Sequence, residues 1–589
     1  MKIRACRIVW TIVALAAVHV GATSPQVRHV PQPGLRIAGF WAEKLDKLEQ
    51  TWIPHCWNRL GVRGGAFQRN LAEATMLALE RHPDRKDLAE ILERFVTDDI
   101  SRQQPDGYVG RCNPHYTDYG RHELYGQGYF IEAAVRHMDF TKGRDRRYFD
   151  AAIRLGDHLD SVFGPPPKRT WTDGHPGVEK ALLTLADAMD RWDGAGKGAK
   201  YAALARYFVL HQSDIPEYRH AYCQSHEPAV RMKEAVGHAV RGTYFYAGMA
   251  GSAWRCGDEA LAAAVRRVFA NAIDRKGYLT GGVGGQWAGE AFGPAWSLPN
   301  ARAYLEGCAG CGMYDWCTEM AMLDGPGRFE DVRERVVYNN LLGTFSEDFA
   351  RYAYQNPPAS ANPRYPWHTL PCCVGNVPRV LEDFKNRMYA ISSDGRTLLV
   401  NHYIASTGGE VVVDGVRVRL DMETDYPTDG KVALKVSAER PVSFRLRARL
   451  PNRAESKLYA VEPSVPHGYR TFEVTLDGTT CPSAAMDTIR FELPMPLQRV
   501  TCDERVKANR GLVAWQQGPI VYAWEGDGFK TRVPYHLRLN KGGPSRVWLP
   551  ADGSAPTAEI ITGEWFRGTG CPLDADNRKV TASRFLKER

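Results

Sequence analysis

The chain has 589 residues, of which 44% are hydrophobic, 24% charged and 11% aromatic, a globular composition that excludes collagen, coiled coil and wholesale disorder. Its 76 Lys and Arg against 68 Asp and Glu give a net charge of +8, without the clustered basic stripe that a nucleic-acid binder needs. A length prior allows about four domains, and fewer where a large helical barrel or a β-sandwich is present.

The first 22 residues have the form of a secretory signal. Lys2, Arg4 and Arg7 make a basic start, Ile8 to Val18 is mostly apolar, and Val20-Gly21-Ala22 supplies small or apolar residues for cleavage. No later segment reaches about 18 consecutive apolar residues, so no membrane span is expected after cleavage. The mature protein is expected to be secreted or periplasmic. Cleavage lowers the net charge to +5 and removes Cys6 from the thirteen cysteines. Exported cysteines usually pair as disulfides, but a chain of this size does not need staples, and the spacings are not those of a small disulfide scaffold.

Residues 70 to about 390 carry helical periodicity. Leu88, Ile91, Leu92, Phe95 and Val96 fall on one apolar face, and Tyr148, Ala152, Leu155 and Leu159 on another. Further helices are predicted over 123–138, 178–192, 197–212, 233–255, 258–273, 311–324, 329–342 and 374–391. Ten to twelve helices without strand–helix alternation predict a toroid of α-hairpins over residues 23–390. After about residue 392 the period changes to two. Val416, Val418 and Leu420 alternate, as do Val432, Leu434 and Val436, and Val442, Phe444, Leu446, Ala448 and Leu450. A β-sandwich is predicted over 391–500, with a second sandwich or β-rich extension over 501–589. The fold class is thus α+β and multidomain.

Four features carry chemistry. Cys372-Cys373 is a vicinal pair, and Glu306-Gly307-Cys308 is followed by Cys311. Glu290 sits in Gly-Glu-Ala-Phe-Gly, and His175 and His238 lie on apolar or Gly-rich stretches. Zinc takes four ligands from Cys, His and Asp/Glu. Spacing allows a four-thiolate site that includes Cys311, or a site of Glu306, Cys308, Cys372 and Cys373. It also allows disulfides or buried thiols. Taken alone, Glu290 reads as a solvated loop carboxylate and either histidine as a core residue.

The runs Gly-Glu-Ala-Phe-Gly-Pro, Glu306-Gly307-Cys308-Ala, Val-Tyr-Asn-Asn, Tyr-Gln-Asn-Pro and Cys372-Cys373-Val-Gly-Asn, in that order, resemble the β-L-arabinofuranosidase family, glycoside hydrolase family 127, and its near relatives in family 146. His-Glu-Leu-Tyr at 122–125, Glu-Ala-Val-Gly-His238 and Gln-Gly-Pro-Ile-Val-Tyr at 517–522 extend the resemblance over most of the chain. It implies an (α/α)6 barrel followed by β-sandwich domains. It implies Cys372 as nucleophile and Glu290 as acid/base, with Zn2+ held by Glu306, Cys308, Cys372 and Cys373. His175, His238 and Tyr354 would meet the sugar, and Trp287 could stack on it. One departure stands out. Relatives usually place a histidine where this chain has Tyr129, so the sugar pocket is expected to be reshaped.

Three thiolates, a carboxylate and Zn2+ sum to −2, which leaves sulfur density for attack. Zinc would keep the thiols deprotonated. Glu290 must be protonated when the substrate arrives, so burial and the anionic cluster are expected to raise its pKa. The resulting expectation is a retaining exo-glycosidase for β-L-arabinofuranosides or a related furanoside in plant-type glycans. The alternatives are a hydrolase for another sugar such as a branched acidic furanose, a polysaccharide lyase, and a non-catalytic glycan-binding protein with structural zinc.

Overall fold

The structure, a computed structural model, describes residues 25–359, 372–454, 456–478, 486–525, 545–547 and 549–550. The signal segment and the last 39 residues of the 501–589 region lie outside them.

The N-terminal region is mostly helical. α1 (Gly39–Lys47) runs through a π-turn into α2 (Ile53–Leu60). Then follow α3 (Ala66–Arg81), α4 (Lys86–Ser101), α5 (Glu123–Phe140), α6 (Arg147–Val162), α7 (Val178–Trp192) and α8 (Ala199–His211). α9 (Ala239–Cys256), α10 (Glu259–Lys276), α11 (Gly307–Asp324), α12 (Gly327–Arg335) and α13 (Cys372–Asp383) complete the set. The apolar faces read from sequence are buried at Leu88, Leu92, Phe95 and Val96 on α4, where Ile91 is half-buried, and at Tyr148, Ala152, Leu155 and Leu159 on α6.

Every second helix packs on the next. α3 meets α5, α5 meets α7, α7 meets α9, α9 meets α11, α11 meets α13, and α13 returns to α3. These helices are buried along most of their length, and their buried faces mix apolar and small residues with charged ones that pair, such as Lys180 of α7 with Asp315 of α11. Small residues set the closest approach. A Cβ on Gly312 of α11 would lie 2.1 Å from Thr243 Oγ1 of α9, so this contact requires glycine. Among the described residues no helix is long and apolar enough to cross a membrane.

The β region is built on three main sheets. In chain order the strands are β1 (Val27–His29), β2 (Arg36–Ile37), β3 (Tyr389–Ser392), β4 (Thr397–Val400), β5 (Ser406–Val413), β6 (Val416–Thr424), β7 (Lys431–Ala438) and β8 (Val442–Leu450). β9 (Tyr459–Glu462), β10 (Gly468–Leu476), β11 (Asp487–Glu492), β12 (Leu497–Cys502), β13 (Leu512–Gln517) and β14 (Ile520–Val521) follow. One sheet has the order β1-β3-β4-β8-β10, the other β11-β7-β6-β5-β2, and β14-β13-β12-β9 forms a third. Val418, Leu420, Leu434 and Val436 of one sheet share a core with Leu398, Phe444, Leu446 and Ala448 of the other, as their period-two pattern requires. The N-terminal segment is stitched into both sheets. Val27 pairs with Ser392 and Arg36 with Thr407, a pairing that local periodicity cannot disclose.

A buried ionic network joins the two regions. Arg449 on β8 donates to Asp331 at 2.6 Å and to Glu334 at 2.7 Å, both on α12, and Arg453 donates to Glu334 at 2.7 Å. Burial pushes the Glu334 carboxyl up, but Arg449 and Arg453 pull it down to about 2. A carboxyl depressed in the folded state contributes stability above its unfolded pKa of about 4.3, and loses it as pH falls towards the folded value. Glu334→Ala leaves two buried guanidinium groups short of a partner and is expected to cost about 3–5 kcal/mol. The exposed control Glu90→Ala should stay within about 0.5 kcal/mol. Chemical denaturation at pH 7 measures both, and the gap between them should narrow below about pH 4.

Candidate active site

Three of the mutually packed helices present their N-termini to one place. α11 begins beside Glu306, its N-cap residue, and puts Cys308 in its first turn. α13 begins at Cys372. α9 begins after His238, which is its N-cap. Helix N-termini carry unsatisfied N–H groups and partial positive charge, so anionic side chains are favoured there. The Cys308 N–H illustrates this by donating to Cys373 Sγ at 3.2 Å.

Glu306, Cys308, Cys372 and Cys373 offer one ligand atom each, all within 4.8 Å of one another. Cys372 Sγ lies 3.5 Å and Cys373 Sγ 3.3 Å from Glu306 Oε1, and the two sulfurs are 3.7 Å apart. Tyr354 Oη donates to Glu306 Oε1 at 2.8 Å and lies 3.0 Å from Cys372 Sγ. Its single proton serves one of these at a time. The three thiols are not equivalent. Cys308 and Cys373 are buried and Cys372 is partly open. Hydrogen bonds from Cys308 and Cys373, then Tyr354, hold the Cys372 thiol well below its ordinary range despite burial. Burial pushes Cys308 and Cys373 well above theirs. Negative charge on the trio is therefore favoured at Cys372.

The donor set fits a zinc ion. Three sulfurs and one carboxylate are a tetrahedral ligand set in type and number. Glu306 Oε2 is buried without a hydrogen-bond partner among the described residues, which is costly unless something else satisfies it. Cys311 is buried and outside this group, with its thiol raised by burial. The carboxylate-and-three-sulfur alternative is thus the one whose atoms converge, and the four-thiolate alternative is not. Among the described residues there is no disulfide, and all ten cysteines are free.

Glu290 lies in a short turn with a left-handed φ of 51°. His238 Nδ1 accepts the Arg241 N–H as helix cap. That leaves Nε2 to carry the ring proton and donate to Glu290 Oε2 at 2.9 Å. Tyr304 donates to Oε1 at 2.8 Å. The expected rise in the Glu290 pKa is therefore not what the protein arranges. The His238 hydrogen bond, aided by Tyr304, lowers it, and outweighs the burial of a side chain that is still 31% exposed.

The remaining predicted residues surround this pair. His175 Nδ1 donates to its neighbour Pro176 O at 2.8 Å, and its ring packs 3.9 Å from Tyr125 and 6.1 Å from His238, centroid to centroid. Trp287 is 57% exposed and stands edge-on to Tyr304 at 5.1 Å. Tyr129 is buried, with its hydroxyl 2.9 Å from Tyr244 and 3.2 Å from Tyr125. It stands in a row of tyrosine hydroxyls. Sequence reading missed Tyr304, Tyr244 and Asn376. Asn376 alone left a signal, since it follows Cys372 by four residues in a helix and so shares its face.

A partly exposed carboxyl with two fixed donors, ringed by histidine and aromatic side chains, suits a hydrolase that acts on sugars. Comparison with known proteins agrees. The family model described as Beta-L-arabinofuranosidase, GH127 catalytic domain, matches residues 35–386, and those of the GH127 middle domain and the family 127 C-terminal domain match 397–495 and 497–550. The chain belongs to glycoside hydrolase family 127. It is 28% identical over 503 residues to a non-reducing end beta-L-arabinofuranosidase of Bifidobacterium longum subsp. longum, covering 77% of this chain and 74% of that one. Among solved structures it is similar to a GH127 beta-arabinofuranosidase (26% identity, TM-score 0.78, 91% of this chain and 99% of that one). It is also similar to the GH127 beta-L-arabinofuranosidase of Geobacillus stearothermophilus T6 (26% identity, TM-score 0.75, 88% and 99%). Family membership sets aside the lyase and the non-catalytic glycan-binding alternatives.

Proposed function

We propose that this protein is a retaining, exo-acting β-L-arabinofuranosidase, exported to the periplasm or the medium, in which Cys372 is the nucleophile and Glu290 the acid/base. The observation that carries the proposal is the convergence of Glu306, Cys308, Cys372 and Cys373 within 4.8 Å, next to the His238–Glu290 pair. The closed cycle of packed helices is read here as an (α/α)6 barrel, with the β-sheets as sandwich domains behind it. Glu306, Cys308, Cys372 and Cys373 would hold Zn2+, which would supply charge to keep the thiols deprotonated and is itself redox-inert.

The chain's own groups carry the reaction. Cys372 Sγ attacks the anomeric carbon as Glu290 gives its proton to the departing oxygen, so the C–S bond forms and the C–O bond breaks. Water then attacks the same carbon. Glu290 takes its proton, the C–S bond breaks, and sulfur leaves as thiolate. Two displacements return the sugar with its original anomeric configuration. A sugar hydroxyl that engages His238 would withdraw the donor that depresses Glu290 and let it hold the proton it must give. His175 and Tyr354 would hold the sugar, and the exposed ring of Trp287 would meet the leaving group.

Tyr129 favours a second reading within the same class. Its phenol, in place of an imidazole, joins Tyr125 and Tyr244 in a hydroxyl row, which suits a related furanoside with a differently placed polar substituent. A screen of aryl β-L-arabinofuranosides and related pentosides decides between them. Turnover of the arabinofuranoside, with loss on prolonged chelation and recovery with zinc, is the expected result. Turnover of another furanoside alone would select the second reading. Full activity after proven removal of metal would overturn the metal assignment.

A further inference from the structure

The three sulfurs of the cluster receive different donors, and one donor is fixed from a distance. Asn376 is fully buried on α13, and its Nδ2 lies 2.7 Å from Tyr244 Oη and 3.4 Å from Cys308 Sγ. Its Oδ1 accepts from Arg379 Nε at 3.0 Å. A guanidinium has donors and no acceptor. The amide oxygen must therefore face Arg379, and the NH2 must face the sulfur. Arg379 is in turn held by Asp315 at 3.3 Å, and Asp315 by Lys180 at 2.6 Å. Lys180, Asp315 and Arg379 line a cavity of about 1240 Å3 whose lining includes none of the four cluster residues. The orientation of Asn376 is thus imposed from outside the pocket.

We propose that Asn376, locked by Arg379, is a positioning residue that makes Cys308 a spectator sulfur and leaves Cys372 the nucleophile. This rests on the metal reading above. An N–H directed at a thiolate draws charge from it and weakens its nucleophilicity, while fixing the ligand's direction towards the ion. Cys308 receives such an N–H. Among the described residues Cys372 Sγ is reached by the Tyr354 hydroxyl, whose proton Glu306 shares, and by the neighbouring thiols, but by no N–H. The two buried sulfurs, Cys308 and Cys373, each accept an N–H, and the partly open Cys372 keeps its charge.

The test uses the full-length protein loaded with Co2+, whose thiolate-to-cobalt charge-transfer band reports sulfur donor strength, and zinc affinity by competition with a chromophoric chelator. Asn376→Leu removes the donor at similar size. It should weaken metal binding by roughly 10- to 100-fold and move the band to longer wavelength. Arg379→Met should change both in the same direction by freeing the amide to turn, and Arg379→Lys, which can still donate to the amide oxygen, should restore much of the loss. These variants also cover one another if either fails to fold. Wild-type affinity and an unmoved band in a folded Asn376→Leu or Arg379→Met protein would overturn the proposal while leaving the metal reading intact. Absence of the charge-transfer band in the wild type would overturn both.

Discussion

Cys372→Ser is expected to abolish glycoside turnover, by a factor on the order of 10^4 or more, the scale seen when a covalent nucleophile is removed. The reason is specific to this sulfur. Of the three clustered thiols it is the partly open one, and the one whose neighbours lower its pKa. A serine hydroxyl keeps the size but not the acidity, so it offers little anion for attack. The helical content should be unchanged, because Cys372 sits at the very start of α13 and not within its packed interior. Steady-state kinetics on an activated aryl furanoside, with far-UV circular dichroism as the folding control, measures the effect. A variant that keeps more than about a tenth of wild-type kcat would remove Cys372 from the nucleophile's role, since a lost nucleophile costs orders of magnitude more.

Glu290→Gln is expected to lose roughly 10^2 to 10^4 in kcat/KM on glycosides with poor leaving groups, the usual span for a general acid. The loss should be much smaller in the first displacement on activated aryl glycosides, whose leaving oxygen needs no proton. The second displacement then lacks its base, so a burst of phenol should precede slow turnover. The pH dependence follows from the lowered pKa. In the free protein, His238 and Tyr304 favour the carboxylate, and the acid role needs the carboxylic acid. The protonated fraction is therefore lost at lower pH than for an ordinary glutamate, and kcat/KM should fall on the alkaline side of an acidic optimum. Glu290→Gln should erase that limb, because glutamine does not titrate. Equal losses on good and poor leaving groups, with the limb retained, would place the acid elsewhere.

The contrast between these residues shows what a linear sequence discloses. Helix faces such as Leu88–Val96, and the alternation at Val432–Val436, are local signals, and they mark buried positions in the fold. The cluster was legible because two adjacent cysteines and a Glu-x-Cys spacing are rare arrangements with few uses. The sign of the Glu290 shift was not legible. It depends on His238 and Tyr304, which are 52 and 14 residues away along the chain, and on a helix cap that fixes which ring nitrogen carries the proton. Pairing of Val27 with Ser392 and the turning of Asn376 by Arg379 are likewise tertiary facts. Periodicity identifies the face a residue lies on but not the partner it meets. Tyr129 lies between these cases. Its identity departs from the family pattern on inspection, while its place in a hydroxyl row needs the fold.

The central claim is that sulfur of Cys372 becomes covalently bonded to the sugar. The direct measurement is mass spectrometry of Glu290→Gln protein quenched during turnover of an activated aryl β-L-arabinofuranoside, with fragmentation of the peptide that contains Cys372. The account predicts one pentosyl unit on the Cys372 sulfur, lost again on standing as the intermediate hydrolyses. A pentosyl group on Glu306 or another carboxylate, or no adduct together with a product of inverted configuration, would contradict it.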